Sequence, residues 1–306
     1  MFMAPPALSA APPVLDREAL AMGTRLSLHL EGEGDLAGAS EAALAEADRI
    51  ERACSTWLSD SAWSRLNAAG EAELDREWIR LLAQAQAWSI RLDGAFDPVL
   101  GRLVAAWGAR TGGRVPSPSE LAAARAASGA AHLKLDGDRV RLTGGAWIEE
   151  GGFVKGYALD RMKAVLQARG MAAGRLDFGG QLLVWGRPER VTVADPQDRH
   201  RPRLALILRD ASLACSGDSE RGRHLLDPRT GRPCEAWGEV AVVSRSAFDA
   251  DVLSKLYVLG PGRGLAWADA HGVAAAFLPN LGAPRLSRAF RALHPVILLI
   301  PSPEPR

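Results

Sequence analysis

The sequence predicts an α+β fold with mixed and antiparallel sheets and flanking helices. Short alternating segments end repeatedly in glycine or Asp-Pro turns that lead straight into another strand. Longer segments with apolar residues at helical spacing interrupt them. The strict strand–helix–strand rhythm of a doubly wound parallel sheet is missing, and no repeat of fixed period is visible. At 306 residues, 47% hydrophobic and 24% charged, the chain is long enough for one large domain or two smaller ones.

Taken in order, the Pro- and Ala-rich head is expected to be a flexible segment over residues 1–20, followed by a single domain over 21–300. Thr24 to Leu30 alternates as a half-buried strand, closed by Gly32 and Gly34. Residues from about Ser40 to Thr56 carry Leu44, Ile50 and Cys54 at helical spacing, and Glu71 to Arg91 repeat the pattern with Trp78, Leu81, Leu82, Ala85 and Trp88. The link STWLSDSAWSRLN reads as a polar turn in which Trp63 packs beneath the loop. A loop at Gly94 to Pro98 precedes the helical LGRLVAAWG, and a short Ala-rich helix spans Glu120 to Ala127.

HLKLDGDRVRL is a hairpin turning at Asp136-Gly137. EEGGFVKGYALDRMKAVLQARG is a glycine turn opening into an amphipathic helix that stops at Gly170. Strands follow in RLDFGGQLLVWG, RVTVADP and LALILRDASLACSGD, the last holding a turn at Asp210-Ala211. RHLLDPRTGRP sets His224 before a tight turn, EVAVVSRS leads into a helix capped by Ser246 with Asp249 three residues on, and VAAAFLP and PVILLIP supply late strands, the second read as buried.

Charge excludes several classes of partner. Thirty-seven Lys and Arg against 36 Asp and Glu leave a net +1, so bulk electrostatics give no case for nucleic acid or a membrane surface. No segment reaches the length of a membrane span. Cys54, Cys215 and Cys234 are odd in number and lack zinc-ligand spacing. With no basic n-region at the head, the chain as written is expected to be cytoplasmic.

Four places hold candidate chemistry. Backbone N–H groups of the Gly151-Gly152 turn, together with Lys155, suit an anion such as a phosphate. Ser216-Gly217-Asp218 is a second turn able to face a ligand, and His224 supplies a proton acceptor near neutral pH beside Asp227. Asp251, near the start of its helix, can hold a hard cation where that helix end favours phosphate, and Lys255 lies on the same face four residues on.

The wording and order of eight segments resemble the ApbE family, the FAD:protein FMN transferases. They are MGT (22–24), STWLSDSAWSRLN (55–67), AFDPVLGRLVAAWG (95–108), EGGFVKGYALD (150–160), DFGGQLLVWG (177–186), CSGDSER (215–221), HLLDPRTGRP (224–233) and SAFDADVLSKLYVLG (246–260). The resemblance implies a T-fold-like architecture and a Mg2+-dependent transferase. In such an enzyme a threonine of a target flavoprotein attacks the FMN phosphorus of FAD, and AMP leaves. It also implies that Met22, Trp57, Ala95, Phe96, Asp97, Glu149, Lys155 and Leu225 contact the flavin nucleotide. His224 takes the place of the general base, and Gly152, through its carbonyl, and Asp251 take the places of metal ligands. Many members are exported or periplasmic, and some hydrolyse FAD to FMN and AMP.

Three positions depart from the family pattern. Lys255 stands where a hydroxyl residue, usually Thr, follows the metal-binding Asp by one turn. Glu149 replaces an Asp and is followed by Glu150, and Gln181 replaces an Asp after the second glycine pair. An ammonium cannot ligate Mg2+, so either Lys255 swings out and water completes the shell, or the lysine itself provides the charge. A divergent FAD-binding protein without transfer, or an FAD pyrophosphatase, is the alternative outcome.

Overall fold

The computed structural model describes residues 12–217 and 225–298. The chain opens with a hairpin, β1 (Val14–Ala21) and β2 (Thr24–Glu31), whose two-residue turn places Met22 at φ 46° and Gly23 at φ 68°. It continues through α1 (Leu36–Cys54), α2 (Ala62–Ala69), β3 (Glu71–Glu73), α3 (Arg76–Arg91), α4 (Gly101–Ala106), α5 (Pro118–Ala126) and the hairpin of β4 (Leu133–Asp136) and β5 (Arg139–Leu142). Next come α6 (Val154–Ala168), β6 (Ala173–Phe178), β7 (Gln181–Trp185), β8 (Glu189–Ala194), β9 (Pro202–Leu208) and β10 (Ala211–Gly217). The last third holds β11 (Leu226–Asp227), β12 (Arg232–Pro233), β13 (Gly238–Ser244), α7 (Ala247–Leu253), α8 (Gly260–His271), β14 (Ala274–Pro279), β15 (Arg285–Leu286), α9 (Arg288–Arg291) and β16 (Val296–Ile297).

The main sheet has eight strands in the order β1-β2-β6-β7-β10-β13-β14-β15, and every neighbouring pair is antiparallel. Its strands thus follow chain order, with helices and small sheets inserted between them. Side chains alternate across the two faces, so each face builds its own core. Leu26, Leu28 and Leu30 of β2, with Phe178 and Val242, pack on Ala43, Ala47 and Ile50 of α1 and Leu159 and Met162 of α6. On the opposite face Ala241, Ala276 and Leu278 meet Val191 and Val193 of β8, Leu204 and Leu206 of β9, and Phe290 of α9. The antiparallel, helix-flanked class expected from the turns is the class observed.

Several local expectations are corrected. Within the head expected to be flexible over 1–20, Val14–Ala21 forms the edge strand β1. The segment read as one helix from Glu71 starts as strand β3, with α3 beginning only after Asp75. Inside the link read as a turn, Ser61 accepts from the Ser64 N–H and starts α2, which buries Trp63 against Phe153 at 5.8 Å. Strands β9 and β10, adjacent in sequence, enter different sheets. The late strand read as buried is an exposed edge strand over Val296–Ile297, because among the described residues β16 pairs with β9 alone.

Candidate functional site

The site grows from the close approach of α6 and α7. A Cβ on Gly156 would run into the Ala247 carbonyl and lie 2.9 Å from the Asp251 Cβ, so only glycine lets the two helices meet there. That proximity allows the Gly156 N–H to donate to Asp251 Oδ2 at 3.1 Å. The start of α7 already holds an anion of the protein's own. Asp160 accepts from the Ala247 N–H (2.8 Å), the Phe248 N–H (3.0 Å) and the Ser246 hydroxyl (2.8 Å). The reading of this helix end as a phosphate site is therefore corrected: Asp160 fills it.

Asp251 and Lys255 form the first charged centre. Helix α7 gives way after Leu253 to a 3₁₀ turn over Ser254–Leu259, and Lys255, four residues on from Asp251, reaches back to it. Its Nζ donates to Asp251 Oδ1 at 3.0 Å, to the Asp251 carbonyl at 2.9 Å and to Ser254 Oγ at 3.0 Å. Ser254 in turn donates to the Asp251 carbonyl (2.6 Å) and shares a hydrogen bond with Ser216 Oγ (2.7 Å). Both side chains are largely withdrawn from solvent, 14% exposed for Lys255 and 9% for Asp251.

Three cavities share Gly151, and two of them adjoin this centre. One of about 320 Å³ is lined by Lys155, Gly179, Gly180, Ser216, Asp251 and Lys255. A second of about 440 Å³ is lined by Met22, Glu51, Trp57, Glu150 and Lys155. The third, about 290 Å³, is lined by Trp57, Ala95, Phe96, Asp97, Glu149, Gly152, Leu225 and Lys255. Met22 is fixed at the mouth of the second by its N–H, which donates to Glu51 Oε2 at 2.9 Å. Lys155 has no hydrogen-bond or ion-pair partner among the described residues, so its ammonium remains available to a ligand. A further cavity of about 400 Å³ lies on the α2–α4 side of Arg110 and Glu149, away from the two lysines.

Arg110 organises the second charged centre. Its Nη2 donates to both Glu149 oxygens, at 2.7 Å and 2.6 Å, reaches Glu150 Oε2 at 3.3 Å and bonds Thr56 Oγ1. Thr56 also donates to Glu150, and the guanidinium lies 4.4 Å over the ring of Trp57, itself 64% exposed. Burial pushes the Glu149 carboxyl up to about 7, and the neighbouring Glu150 charge adds to that rise against the pull of Arg110.

Every described residue that the resemblance implies lines this tract, although not every one offers its side chain; Asp227 instead pairs with Arg229 at 2.9 Å. The carboxylate of Asp97 is turned into its own loop, accepting from the Val99 and Ala130 N–H groups at 2.8 Å each and from the Ser89 hydroxyl at 3.1 Å. Burial nonetheless raises its pKa. Asp97 thus shapes the loop that presents Ala95 and Phe96. Gly152 backs onto Lys255, since a Cβ there would lie 3.4 Å from Lys255 Cε and 3.3 Å from Phe96. His224 and Asp218 lie outside the described residues. Arg110, Thr56 and Ser254 escaped the sequence reading; Arg110 follows the AFDPVLGRLVAAWG segment by a single residue, and that adjacency was its only signal.

A family profile described as the ApbE family matches residues 22–277. The chain belongs to the ApbE family. A curated FAD:protein FMN transferase of Vibrio cholerae is 28% identical over 242 residues, 72% of either chain. The apo crystal structure of the flavinyl transferase ApbE of Pseudomonas stutzeri is 29% identical with a TM-score of 0.85, covering 93% of this chain and 98% of that one. The Thermotoga maritima ApbE protein is 27% identical with the same TM-score, covering 92% and 99%.

The divalent metal implied by the ApbE resemblance does not fit the residues as they stand. Of the two implied ligands, Asp251 is already engaged: Oδ1 and its carbonyl accept from the Lys255 ammonium, and Oδ2 accepts from the Gly156 N–H. Among the described residues no three His, Cys, Asp or Glu side chains converge. A dication about 3.5 Å from an ammonium is opposed by on the order of 10 kcal/mol at an effective dielectric of about 20.

Proposed function

We propose that this protein is an FAD:protein FMN transferase, binding FAD in the three-cavity tract and passing FMN to a threonine hydroxyl of a target protein. The carrying observation is the run of cavities joined at Gly151, which takes in two lysines, two glycine turns and an arginine-backed tryptophan. A diphosphate needs fixed N–H donors and cations, whereas a flat ring system needs a wall to lie against and polar edges to meet.

The Gly151-Gly152 and Gly179-Gly180 turns and Lys155 orient the diphosphate. Trp57, Phe96 and Leu225 exclude water from the rings. His224, which follows from the family pattern, takes the proton from the acceptor hydroxyl as its oxygen bonds to the FMN phosphorus. The bond from that phosphorus to the AMP oxygen breaks, and AMP leaves with the electron pair. The relatives' name, FAD:protein FMN transferase, supports both the donor and a protein acceptor. The acceptor threonine and the role of His224 come from the family resemblance.

The test is incubation of the pure protein with FAD and a threonine-bearing acceptor protein, followed by denaturing electrophoresis and nucleotide chromatography. The expected outcome is a fluorescent acceptor band with AMP released in equal amount. Release of FMN and AMP without a labelled acceptor would mark a pyrophosphatase, and intact FAD would mark a protein that only binds it. In His224→Ala, transfer is expected to fall by about a hundredfold or more while FAD affinity holds.

A further inference from the structure

We propose that the Lys255 ammonium is the built-in cation of this site, linking the Asp251 carboxylate to the diphosphate of FAD in place of a divalent metal. The inference rests on the functional reading above and adds which cation the site uses.

Three features of the geometry carry it. The first is the coordination of Nζ, gripped on one side by Asp251 Oδ1, the Asp251 carbonyl and Ser254 Oγ at 2.9–3.0 Å, a set of hard oxygens such as a metal ion takes. Secondly, Lys255 lines both the cavity that holds Lys155 and the one that holds Gly152 and Glu149, so it stands at the wall between them. Finally, its stem passes beside the glycine turn, since a Cβ on Gly152 would lie 3.4 Å from Lys255 Cε.

One of its three donors can be released cheaply. Ser254 Oγ already shares a hydrogen bond with Ser216, so losing the Lys255 contact leaves it satisfied. The Asp251 contacts, by contrast, neutralise a buried carboxylate and are costly to break. A phosphate oxygen arriving from the cavity therefore exchanges with Ser254 for one N–H of Lys255, while Oδ1 and the carbonyl keep the other two. Together with Lys155 this gives two monovalent charges where one divalent charge would otherwise serve, and neither can be removed by a chelator.

The experiment measures FAD affinity of the full chain by flavin fluorescence quenching, in EDTA and in millimolar Mg2+. The wild-type dissociation constant is expected to agree within about twofold between the two buffers, and Lys255→Thr in EDTA is expected to weaken binding by about tenfold or more. A tenfold loss of wild-type affinity on chelation, restored by Mg2+, would overturn the proposal and leave the FAD reading intact. So would Lys255→Thr binding FAD in EDTA as tightly as the wild type. Failure of the folded wild type to bind FAD in either buffer would remove the functional reading itself. Should Lys255→Thr not fold, paramagnetic resonance of Mn2+ added to the wild type decides: Mn2+ left free supports the proposal, and one Mn2+ bound per chain and displaced by Mg2+ overturns it.

Discussion

At the Asp251 end of the tract one carboxylate is matched by one ammonium, and a second ammonium, Lys155, stands nearby with no partner among the described residues. At the Glu149 end a single guanidinium serves two carboxylates and a threonine hydroxyl. The same kinds of group thus stand in opposite proportion, two ammoniums around Asp251 and two carboxylates around Arg110. Hence the second end responds by holding a proton on Glu149, whereas the first can do so only by admitting an anion. On the proposed function this polarity sets the direction of FAD: diphosphate towards the lysines, ring system towards Trp57 and Arg110.

The largest expected effect breaks the balance at the lysine end. Lys255→Met leaves Asp251 buried and unpaired, and is expected to cost about 3–4 kcal/mol of stability, read as a lowered urea midpoint. Lys255→Met/Asp251→Asn should recover much of that loss, which separates a pairing effect from simple packing. If Lys255→Met melts like the wild type, the one-to-one pairing has no energetic weight and the contrast between the ends weakens.

Next comes the proton at the other end. Because the folded pKa of Glu149 lies above its ordinary 4.5, at about 7, the neutral carboxyl is favoured in the fold. Its contribution to stability is complete below the ordinary value and is lost as pH rises towards 7. Unfolding at about pH 5 and about pH 8 should differ by about 2–3 kcal/mol more in the wild type than in Glu149→Gln. Equal pH profiles would show that Arg110 neutralises Glu149 outright.

Gly156→Ala sharpens the comparison by moving Asp251 without touching its charge. The added methyl meets the Ala247 carbonyl and the Asp251 Cβ, and a loss of about 2 kcal/mol together with weaker FAD binding is expected. Stability falling while affinity holds would mean that the site tolerates a shifted Asp251. The smallest effect belongs to Trp57→Ala. An exposed ring under Arg110 adds little to folding, within about 0.5 kcal/mol, yet FAD affinity should fall by about fivefold if the rings lie there.

How far these features were legible in the sequence follows from what kind of information fixed them. Hairpins at Asp136-Gly137 and Gly179-Gly180 were readable because a left-handed turn demands particular residues locally. Strand β1 was hidden by the Pro- and Ala-rich residues before it, and an edge strand facing solvent shows no clear apolar face. The PVILLIP run misled for the opposite reason: its apolar composition signals burial, but among the described residues Val296 and Ile297 have a neighbouring strand on one side only.

In the site, the glycine turns, Lys155, Asp251 and Lys255 could be chosen because each sits in a recognisable segment. Arg110 could not, since its partners Glu149 and Glu150 lie 39 and 40 residues downstream and no spacing rule connects them. The i,i+4 spacing put Lys255 on the face of Asp251, but did not show its further bonds to the Asp251 carbonyl and Ser254.

The most direct measurement is a crystal structure of the protein grown with FAD in the presence of EDTA. The account predicts the diphosphate within hydrogen-bond distance of both Lys155 Nζ and Lys255 Nζ, with Lys255 still on Asp251 and a ring system against Trp57. A diphosphate seated instead beside Glu149 and Glu150, or FAD bound outside the tract joined at Gly151, would contradict it.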